Sequence, residues 1–398
     1  MAEAGWGTAL DTWALNGTDS SHYCEGGVSL RIGAGFFRPQ SRLARDLAVL
    51  LARSLAARGP LRVLDLMAGC GIRALRYGVE AGATAVWAND GDPDRLPLLE
   101  ANLGGLPAGV ARRVSAITAQ RLLADCLLKE ERFELVDLDA FGCPSSLLPL
   151  ALESVAFDGV LLVASTDGRS PTGHDRPAAV RRFGAAARAH PASWELALRL
   201  QMGGVARCAW ALGRGVEPLL SFSEGRTFRT AVRLSRSPAP DEESFLGMVA
   251  HCHGCGDQQV QSLLRLRRWE PCRCGAPGSP PLAVSGPLWI GPLQHPGLLG
   301  VMAEEAVLAP ASVSTKAWRQ LERLASDPGS PACCWPTAEI GRHLSGGPPP
   351  LADLVEELRA AGHRANARGI MAAQLRSDAP WPLILRLASS LVHRTAAR

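Results

Sequence analysis

Strand-like apolar runs alternate with helical patterns between residues 42 and 168, and this alternation constrains the fold more than any other feature. Apolar residues at helical spacing predict helices over 42–59, 72–83 and 92–106. The strand-like runs are LRVLDLMAGCG, TAVWAND, RVSAITAQ, FELVDLDAFG and DGVLLVASTDG. Because strands alternate with helices, the sequence predicts an α/β fold with a doubly wound, mostly parallel sheet of the Rossmann-like type.

Acidic residues close three of these runs: Asp65, Asp90 and Asp139. In open parallel sheets, ligands bind beyond the carboxyl ends of the strands, so this edge is the predicted site. The stretch VLDLMAGCGIRAL resembles the glycine turn of class I S-adenosylmethionine-dependent methyltransferases, which makes S-adenosylmethionine the predicted cofactor. Gly69 and Gly71 would let the backbone approach this ligand, and Asp90 would accept hydrogen bonds from its ribose hydroxyls. A purely structural turn is the alternative, while a dinucleotide site would need a fuller G-x-G-x-x-G.

The stretch DAFG follows the fourth strand-like run, where amino-group methyltransferases carry Asp/Asn-Pro-Pro-Tyr/Phe. A purine amine is a poor nucleophile, because its lone pair is delocalised into the ring. A carboxylate that accepts an N–H hydrogen bond makes the nitrogen more nucleophilic and then takes the proton. Asp139 fits this role, and Phe141 would hold the base flat. Asp137 lies on the same face of the strand, and simple strand termination is the alternative for both aspartates.

Four of the eleven cysteines cluster with ligand-like spacing: Cys252, Cys255, Cys272 and Cys274. Four thiolates spaced as C-x-x-C and C-x-C suit a tetrahedral, structural zinc ion. The second pair is tighter than a standard knuckle, and His251 or His253 would be a substitute ligand. Four reduced thiols without metal are the alternative.

The segment SPAPDEES, which begins at Ser237, predicts a linker between two domains. We therefore expect a methyltransferase-like domain over 1–238 and a C-terminal α+β domain over 239–398, with a zinc-knuckle-like segment at 251–275. The chain has no apolar run long enough to span a membrane and no recognisable signal peptide, so we expect a cytoplasmic protein without membrane contact. The sequence indicates no obligate protein partner.

Two arginine-rich stretches are candidate RNA contacts. The first is RLRRWEPCR, which contains Arg265, Arg267, Arg268 and Trp269. The second contains Arg226, Arg229, Arg233 and Arg236. Arginines beside an aromatic side chain suit a phosphate backbone and a stacked base, but such runs are also common on solvated faces.

Several stretches in the same order resemble the tRNA guanine-26 N2-dimethyltransferases. They include GFFRPQSRLARDLAVL, AGCGIRALRY, WANDGDP, DLDAFGCPSSLLPLAL and GVEPLLSFSEGRTFRTAVRL. The resemblance runs nearly from end to end. It implies a tRNA substrate and methyl transfer from S-adenosylmethionine to the exocyclic N2 of guanine, at position 26, giving N2-methyl- and N2,N2-dimethylguanine.

The resemblance also implies roles for individual residues. The catalytic residues would be Asp139, with Phe36 and Phe141 stacking on a flipped guanine. The cofactor-binding residues would be Arg45, Asp65, Gly69, Gly71, Arg73, Asp90, Thr118 and Ala119. Among these, Arg73 would lie beside the carboxylate of the cofactor and Ala119 near its adenine. The chain departs from the family pattern at Thr118, where an aspartate is usual, and at Ala140, where a proline is usual.

Two other functions remain open from the sequence. One is a methyltransferase of another nucleobase amine, such as adenine N6. The other is a zinc-containing RNA-binding protein whose methyltransferase domain has decayed, which the departures at Thr118 and Ala140 keep open. The number of methyl groups added per guanine is open as well.

Overall fold

The computed structural model describes residues 22–33, 37–272, 274 and 282–396. The strands in this part of the chain are β1 His22–Glu25, β2 Val28–Arg31, β3 Arg62–Asp65, β4 Ala85–Asn89, β5 Ala111–Ser115, β6 Phe133–Ala140, β7 Val155–Ser165, β8 Gly215–Glu224, β9 Thr227–Ser235, β10 Leu246–His251, β11 Gln258–Ser262, β12 Ala283–Trp289, β13 Cys334–Pro336, β14 Ala365–Asn366 and β15 Gln374–Ser377. The helices are α1 Arg42–Ala56, α2 Ile72–Glu80, α3 Leu96–Leu103, α4 Ala119–Leu128, α5 Leu148–Glu153, α6 Arg176–Phe183, α7 Ser193–Ala211, α8 Pro296–Leu308, α9 Thr315–Ala325, α10 Thr337–Gly341, α11 Leu351–Ala360 and α12 Trp381–Ala396. None of these helices is both long enough and apolar enough to cross a membrane.

The central sheet has seven strands in the order β5-β4-β3-β6-β7-β9-β8. The strands β3 to β7 are mutually parallel, while β8 and β9 form an antiparallel hairpin beside β7. The predicted doubly wound, mostly parallel sheet is therefore confirmed. The reversal of strand order between β3 and β6 opens a crevice at their carboxyl ends, which is where such sheets bind ligands.

The third predicted strand is shorter than the sequence pattern indicated. We expected a strand over 113–120, but β5 ends at Ser115 and α4 begins at Ala119. The backbone N–H of Arg121 donates to the Thr118 hydroxyl at 3.4 Å, so Thr118 is the N-cap of α4. A capping hydroxyl at this position stops the strand and starts the helix.

The region after residue 238 shares a hydrophobic core with the central sheet. Its contribution to that core comes from Trp289, Leu293, Leu298, Leu299, Met302, Ala306, Leu321, Leu324 and Ile370. The segment 237–244 is held by Glu242, which is 4% exposed. The Glu242 carboxylate accepts hydrogen bonds from Trp210 Nε1 at 2.6 Å and from the backbone of Val216 and Ala239 at 2.8 Å. The predicted linker is thus anchored to α7 and β8, and the division into two domains stays a prediction.

A buried ion-pair network joins α7 to the small sheet β13-β15-β14. Arg376 on β15 donates to both oxygens of Glu195 on α7, at 2.8 and 2.7 Å. It also donates to both oxygens of Asp327, at 2.7 and 2.9 Å. Arg199, one turn after Glu195, donates to Glu195 Oε1 at 3.0 and 2.7 Å. These four side chains are at most 3% exposed, so the network lies wholly inside the protein.

Candidate active site and cysteine cluster

A cleft of about 320 Å³ opens at the carboxyl ends of β3, β4 and β6. Six of the predicted site residues line it: Arg45, Gly69, Arg73, Asp90, Asp139 and Phe141. They come from α1, from the turns after β3 and β4, from α2 and from the end of β6. The fold therefore brings together, at one edge of the sheet, residues that the sequence separates widely.

The backbone of the glycine turn after β3 is hydrogen-bonded to the side chain of Asp90. Gly69 N–H donates to Asp90 Oδ2 at 2.9 Å, and Asp92 N–H donates to Oδ1 at 3.0 Å. Gly69 and Gly71 have φ angles of +58° and +79°, which strongly favour glycine. A Cβ at Gly71 would also lie 3.0 Å from a methyl carbon of Leu99. Substitution of Gly71 would strain this wall of the cleft.

Asp139 is held by arginines from two different elements. Arg73 Nη2, on α2, donates to Asp139 Oδ2 at 2.9 Å. Arg229 Nη1, on β9, lies 3.2 Å from the same oxygen. Burial raises the pKa of Asp139, but the positive charges of Arg229 and Arg73 outweigh burial and lower that pKa to about 2. The side chain is 26% exposed, so a carboxylate that stays ionised faces the cleft.

Two further aspartates lie beneath Asp139. Asp137 Oδ2 accepts a hydrogen bond from the Tyr77 hydroxyl at 2.6 Å and from Arg73 Nη1 at 3.3 Å. Asp65 pairs in register with Asp137 on the neighbouring strand and is fully buried. Burial, together with the Asp137 charge, raises the pKa of Asp65 well above its ordinary value. Asp65 lies below the surface of the cleft, and its predicted cofactor contact stays a prediction.

Arg45 uses most of its donors on the protein itself. Its Nε and Nη2 donate to the two oxygens of Glu25 at 2.7 and 2.6 Å, and its Nη1 donates to the carbonyl of Arg38 at 3.1 Å. The guanidinium also lies over the ring of Phe37, 5.2 Å from its centroid. Arg45 therefore shapes the wall of the cleft near Phe37, while Phe36, predicted to stack on the base, lies outside the described residues.

The loop that carries Phe141 is fixed by hydrogen bonds to the end of β7. Gly142 N–H donates to the Thr166 hydroxyl at 2.7 Å, and its carbonyl accepts from Thr166 N–H and the Ser165 hydroxyl, both at 2.9 Å. Ala140, which replaces the family proline, is 4% exposed. Phe141 itself is 70% exposed at the rim of the cleft. The loop is thus braced without the proline and presents an aromatic face to solvent.

Thr118 and Ala119 stand apart from the other predicted cofactor residues. The hydroxyl of Thr118 caps α4, and Ala119 is 7% exposed. Neither Thr118 nor Ala119 is among the described residues that line the cleft. Their proximity to an adenine ring stays a prediction.

Sequence reasoning missed the part that β9 plays in the cleft. Arg229 and Thr227 line it, and Arg229 is only 9% exposed. We expected some arginines of the stretch 226–236 to contact RNA, and that stays a prediction. The structure adds that Arg229 lies on β9, the second strand from one edge of the sheet, and faces the cleft. On the same strand Arg233 pairs with Glu217 at 2.5 Å. Arg236, beyond the strand, is exposed.

The four predicted zinc ligands converge. The sulfur atoms of Cys252, Cys255, Cys272 and Cys274 all lie within 4.8 Å of one another. Tetrahedral zinc with bonds of ~2.3 Å to sulfur places its ligands ~3.8 Å apart. The Cys252–Cys274 separation matches this value at 3.8 Å, while the Cys272–Cys274 and Cys255–Cys272 separations are shorter, at 3.2 and 2.9 Å. Four convergent thiols are a donor set that fits a zinc ion, and the two short pairs would have to spread by about 0.6–0.9 Å to bind it.

Two stacked tryptophans hold the first knuckle. The rings of Trp335 and Trp381 are 5.3 Å apart and nearly parallel. Trp335 Nε1 donates to the carbonyl of Gly256 at 2.9 Å, and Trp381 Nε1 donates to that of Cys255. Gly256 has a φ of +82° and lies against Trp381. The cysteine cluster is therefore attached to the C-terminal core of the protein.

The sequence profile of the N2,N2-dimethylguanosine tRNA methyltransferases matches residues 29–388 of the chain. The chain belongs to this family. Relatives named tRNA (guanine(26)-N(2))-dimethyltransferase include one from Methanocorpusculum labreanum, 31% identical over 88% of each chain. Another, from Pyrococcus abyssi, is 28% identical over 89% of this chain and 93% of its own length.

A solved structure, Trm1 from Pyrococcus horikoshii with S-adenosyl-L-methionine, has the same fold. It covers 93% of this chain and all of its own, with a TM-score of 0.80 and 24% sequence identity. Membership of the family confirms the resemblance and the predicted class of enzyme, a tRNA guanine-N2 methyltransferase.

Proposed function

We propose that this chain transfers methyl groups from S-adenosylmethionine to N2 of guanine 26 in tRNA, giving N2-methylguanine and then N2,N2-dimethylguanine. The observation that carries this proposal is the ionised Asp139 carboxylate in the cleft, beside the exposed ring of Phe141. The names of the relatives support guanine 26 as the position, and they favour guanine N2 over another nucleobase amine.

Asp139 would act on the proton of the guanine amine. When bound, S-adenosylmethionine supplies an electrophilic methyl group; its carbon–sulfur bond breaks and that electron pair stays on sulfur. Asp139 accepts an N2–H hydrogen bond and orients the nitrogen lone pair. A carboxylate with a pKa of about 2 is a weak base. It suffices here because the methylated nitrogen, having lost its conjugation with the ring, is a strong acid.

The part of the cleft around Gly69 and Asp90 would hold the cofactor. Asp90 would accept hydrogen bonds from the ribose hydroxyls, because both of its oxygens are already oriented by backbone N–H groups. Gly69 would lie against the ligand, since it has no side chain to keep the ligand away. Arg73 and Arg45 also line the cleft, and each is ion-paired with a carboxylate of the protein.

The exposed ring of Phe141 would stack on the flipped guanine. Stacking a base on this large apolar side chain, which is 70% exposed, is energetically favourable. Phe141 follows Asp139 by two residues on a braced loop, so the ring and the carboxylate would keep a fixed separation.

The C-terminal region would contact the tRNA backbone and hold a structural zinc ion. Arg265, Arg267 and Arg268 are exposed, and Trp269 is partly buried beside them. Cationic side chains around an aromatic ring favour phosphates and a stacked base. This stretch links the two halves of the cysteine cluster, so zinc would fix its position relative to the cleft. The cytoplasmic location stays a prediction.

The zinc proposal is tested by metal analysis of the purified protein. Wild-type protein is expected to carry zinc, and Cys255→Ser is expected to lose it. Cys24→Ser, which alters an exposed cysteine outside the cluster, is the matched control and should retain the metal. Wild-type protein that lacks zinc after purification without chelators would refute the proposal.

The methyl transfer is tested with two tRNA transcripts that differ only at position 26. The transcript with guanine 26 should yield N2-methyl- and N2,N2-dimethylguanosine on mass spectrometry of its nucleosides. The transcript with adenine 26 should yield neither nucleoside. Methylation of both transcripts to the same extent would contradict the assignment of position 26.

A further inference from the structure

The two arginines that hold Asp139 bind the same oxygen. Arg73 Nη2 and Arg229 Nη1 lie 2.9 and 3.2 Å from Oδ2. Among the described residues, no hydrogen bond goes to the other oxygen, Oδ1. One oxygen is therefore fixed from two directions, and the other remains available to a ligand in the cleft.

The register of the sheet explains how Arg229 reaches Asp139. Asp139 on β6 is paired with Ala164 on β7, and Ala164 is paired with Arg229 on β9. The three residues form one row across the sheet, and neighbouring strands lie about 4.8 Å apart. Only the methyl group of Ala164 separates the two charged residues. The long arginine side chain can therefore cross β7 and contact the carboxylate.

Arg229 has few other partners. Its Nε lies 3.9 Å from Glu224 Oε2, and neither of these buried atoms has a hydrogen-bond partner in the described part of the chain. Burial of a guanidinium is costly unless it is paired. The 3.2 Å contact with Asp139 is thus the main stabilising interaction of this cation.

We propose that Arg229 is a positioning residue for methyl transfer: with Arg73, it anchors Oδ2 of Asp139 so that Oδ1 is the atom that accepts the guanine N2 proton. This inference rests on the proposed function. In the step, the N2–H bond breaks, its electron pair stays on nitrogen, and an O–H bond forms at Oδ1. The proton then passes to water. Arg229 itself exchanges no proton.

The charged groups around Asp139 predict how the pH dependence should change. Arg73 faces it from α2, Arg229 from β9, and Glu224 lies near Arg229 on β8. Asp137 and Asp65 lie below it on β6 and β3. Removal of the Arg229 charge takes away one of the two cations that lower the pKa of Asp139. That pKa should rise from about 2 towards its ordinary value of 3.8.

The test compares Arg229→Gln and Arg229→Lys with wild type in the tRNA methylation assay. Arg229→Gln should lose on the order of 10²-fold in kcat, because the carboxylate is no longer fixed. The acid limb of its pH profile should move to higher pH. Arg229→Lys, which keeps the charge, should recover part of kcat and leave the acid limb near its wild-type position. Arg62→Gln, which breaks an exposed pair with Glu134 and alters no residue of the cleft, is the control and should match wild type.

A double-mutant cycle with Asp139→Asn separates positioning from general damage to the fold. If Arg229 acts through Asp139, Arg229→Gln should cost little further activity once Asp139 is replaced. Additive losses, or a kcat loss in Arg229→Gln without any shift of the acid limb, would overturn the inference. If the wild-type enzyme forms N2-methylguanine in these assays, the proposed function holds whatever the Arg229 variants do. If the wild-type enzyme forms none, the proposed function itself is refuted.

Discussion

Asp139 in the cleft and Glu195 in the interior are both carboxylates held by two arginines, and both have a pKa of about 2. Their surroundings differ. Glu195 is 2% exposed, and both of its oxygens accept hydrogen bonds from Arg199 or Arg376. Asp139 is 26% exposed, and both of its arginines contact one oxygen.

The comparison teaches that a lowered pKa does not by itself mark a functional carboxylate. In both places burial alone would raise the pKa, and neighbouring cations reverse the effect. Asp139 is distinguished by access from a cleft and by an oxygen that accepts no hydrogen bond from the described part of the chain. We therefore expect Asp139 to matter for activity and Glu195 to matter for stability.

The largest expected effect is on catalysis. Asp139→Asn removes the proton acceptor and should lower kcat by ~10²–10⁴-fold. Its free energy of unfolding should fall by less than that of Glu195→Gln: the buried Arg229 loses its charged partner, but the side chain of Asp139 is 26% exposed and the asparagine oxygen still accepts from Arg73. Methyl transfer and urea denaturation measure the two quantities. Near-normal turnover of Asp139→Asn would show that Asp139, like Glu195, is not needed for catalysis.

Glu195→Gln should have the opposite effect, lowering the stability of the protein while leaving its activity unchanged. It leaves Arg199 and Arg376 with less negative charge in a buried network and should cost ~3–5 kcal/mol of unfolding free energy. The activity per folded molecule should stay near wild type, because the network lies outside the cleft. A variant as stable as wild type would show that Asp327 alone neutralises Arg376.

Acid should weaken the same network. The pKa of Glu195 is about 2 in the folded protein, below its ordinary value of 4.5. Its contribution of ~3 kcal/mol is therefore complete above pH 4.5 and is lost as the pH falls towards 2. The gap in unfolding free energy between wild type and Glu195→Gln should narrow over that window in urea titrations. A constant gap would mean that the carboxylate is not ionised in the folded state.

The smallest effect is expected at an exposed pair. Arg113 and Glu131 lie 2.5 Å apart, with side chains 50% and 28% exposed. Glu131→Gln should cost ~0.2–1 kcal/mol of unfolding free energy, since solvent screens such pairs. Thermal denaturation at low and high salt would measure it. A loss as large as that of Glu195→Gln would mean that exposure does not decide the strength of these pairs.

The sequence predicted the elements whose determinants are local. The five parallel strands, the glycine turn and the acids at the strand ends follow from periodicity and from the rule that ligands bind at the carboxyl edge. The zinc ligands follow from cysteine spacing over a short stretch. Phe141 was predicted as an aromatic residue after Asp139, and the structure adds that its ring is exposed.

What the sequence could not provide depends on register between distant strands. Arg229 reaches Asp139 only because β9 pairs with β7, and Arg residues along β9 look alike in sequence. The burial of Asp65 depends on the strands on both sides of it. Likewise, the tryptophans that hold the cysteine knuckle lie about 80 and 126 residues after it.

The order in which the strands join the sheet has a consequence for synthesis on the ribosome. All five parallel strands are complete by residue 165. Arg229, however, joins Asp139 and Ala164 only after β9 has been synthesised and has paired with β7. A nascent chain that has emerged only as far as β7 would contain Asp139 but not yet Arg229, which holds that carboxylate in place. Competence for chemistry would then appear late in translation, after the antiparallel hairpin has docked.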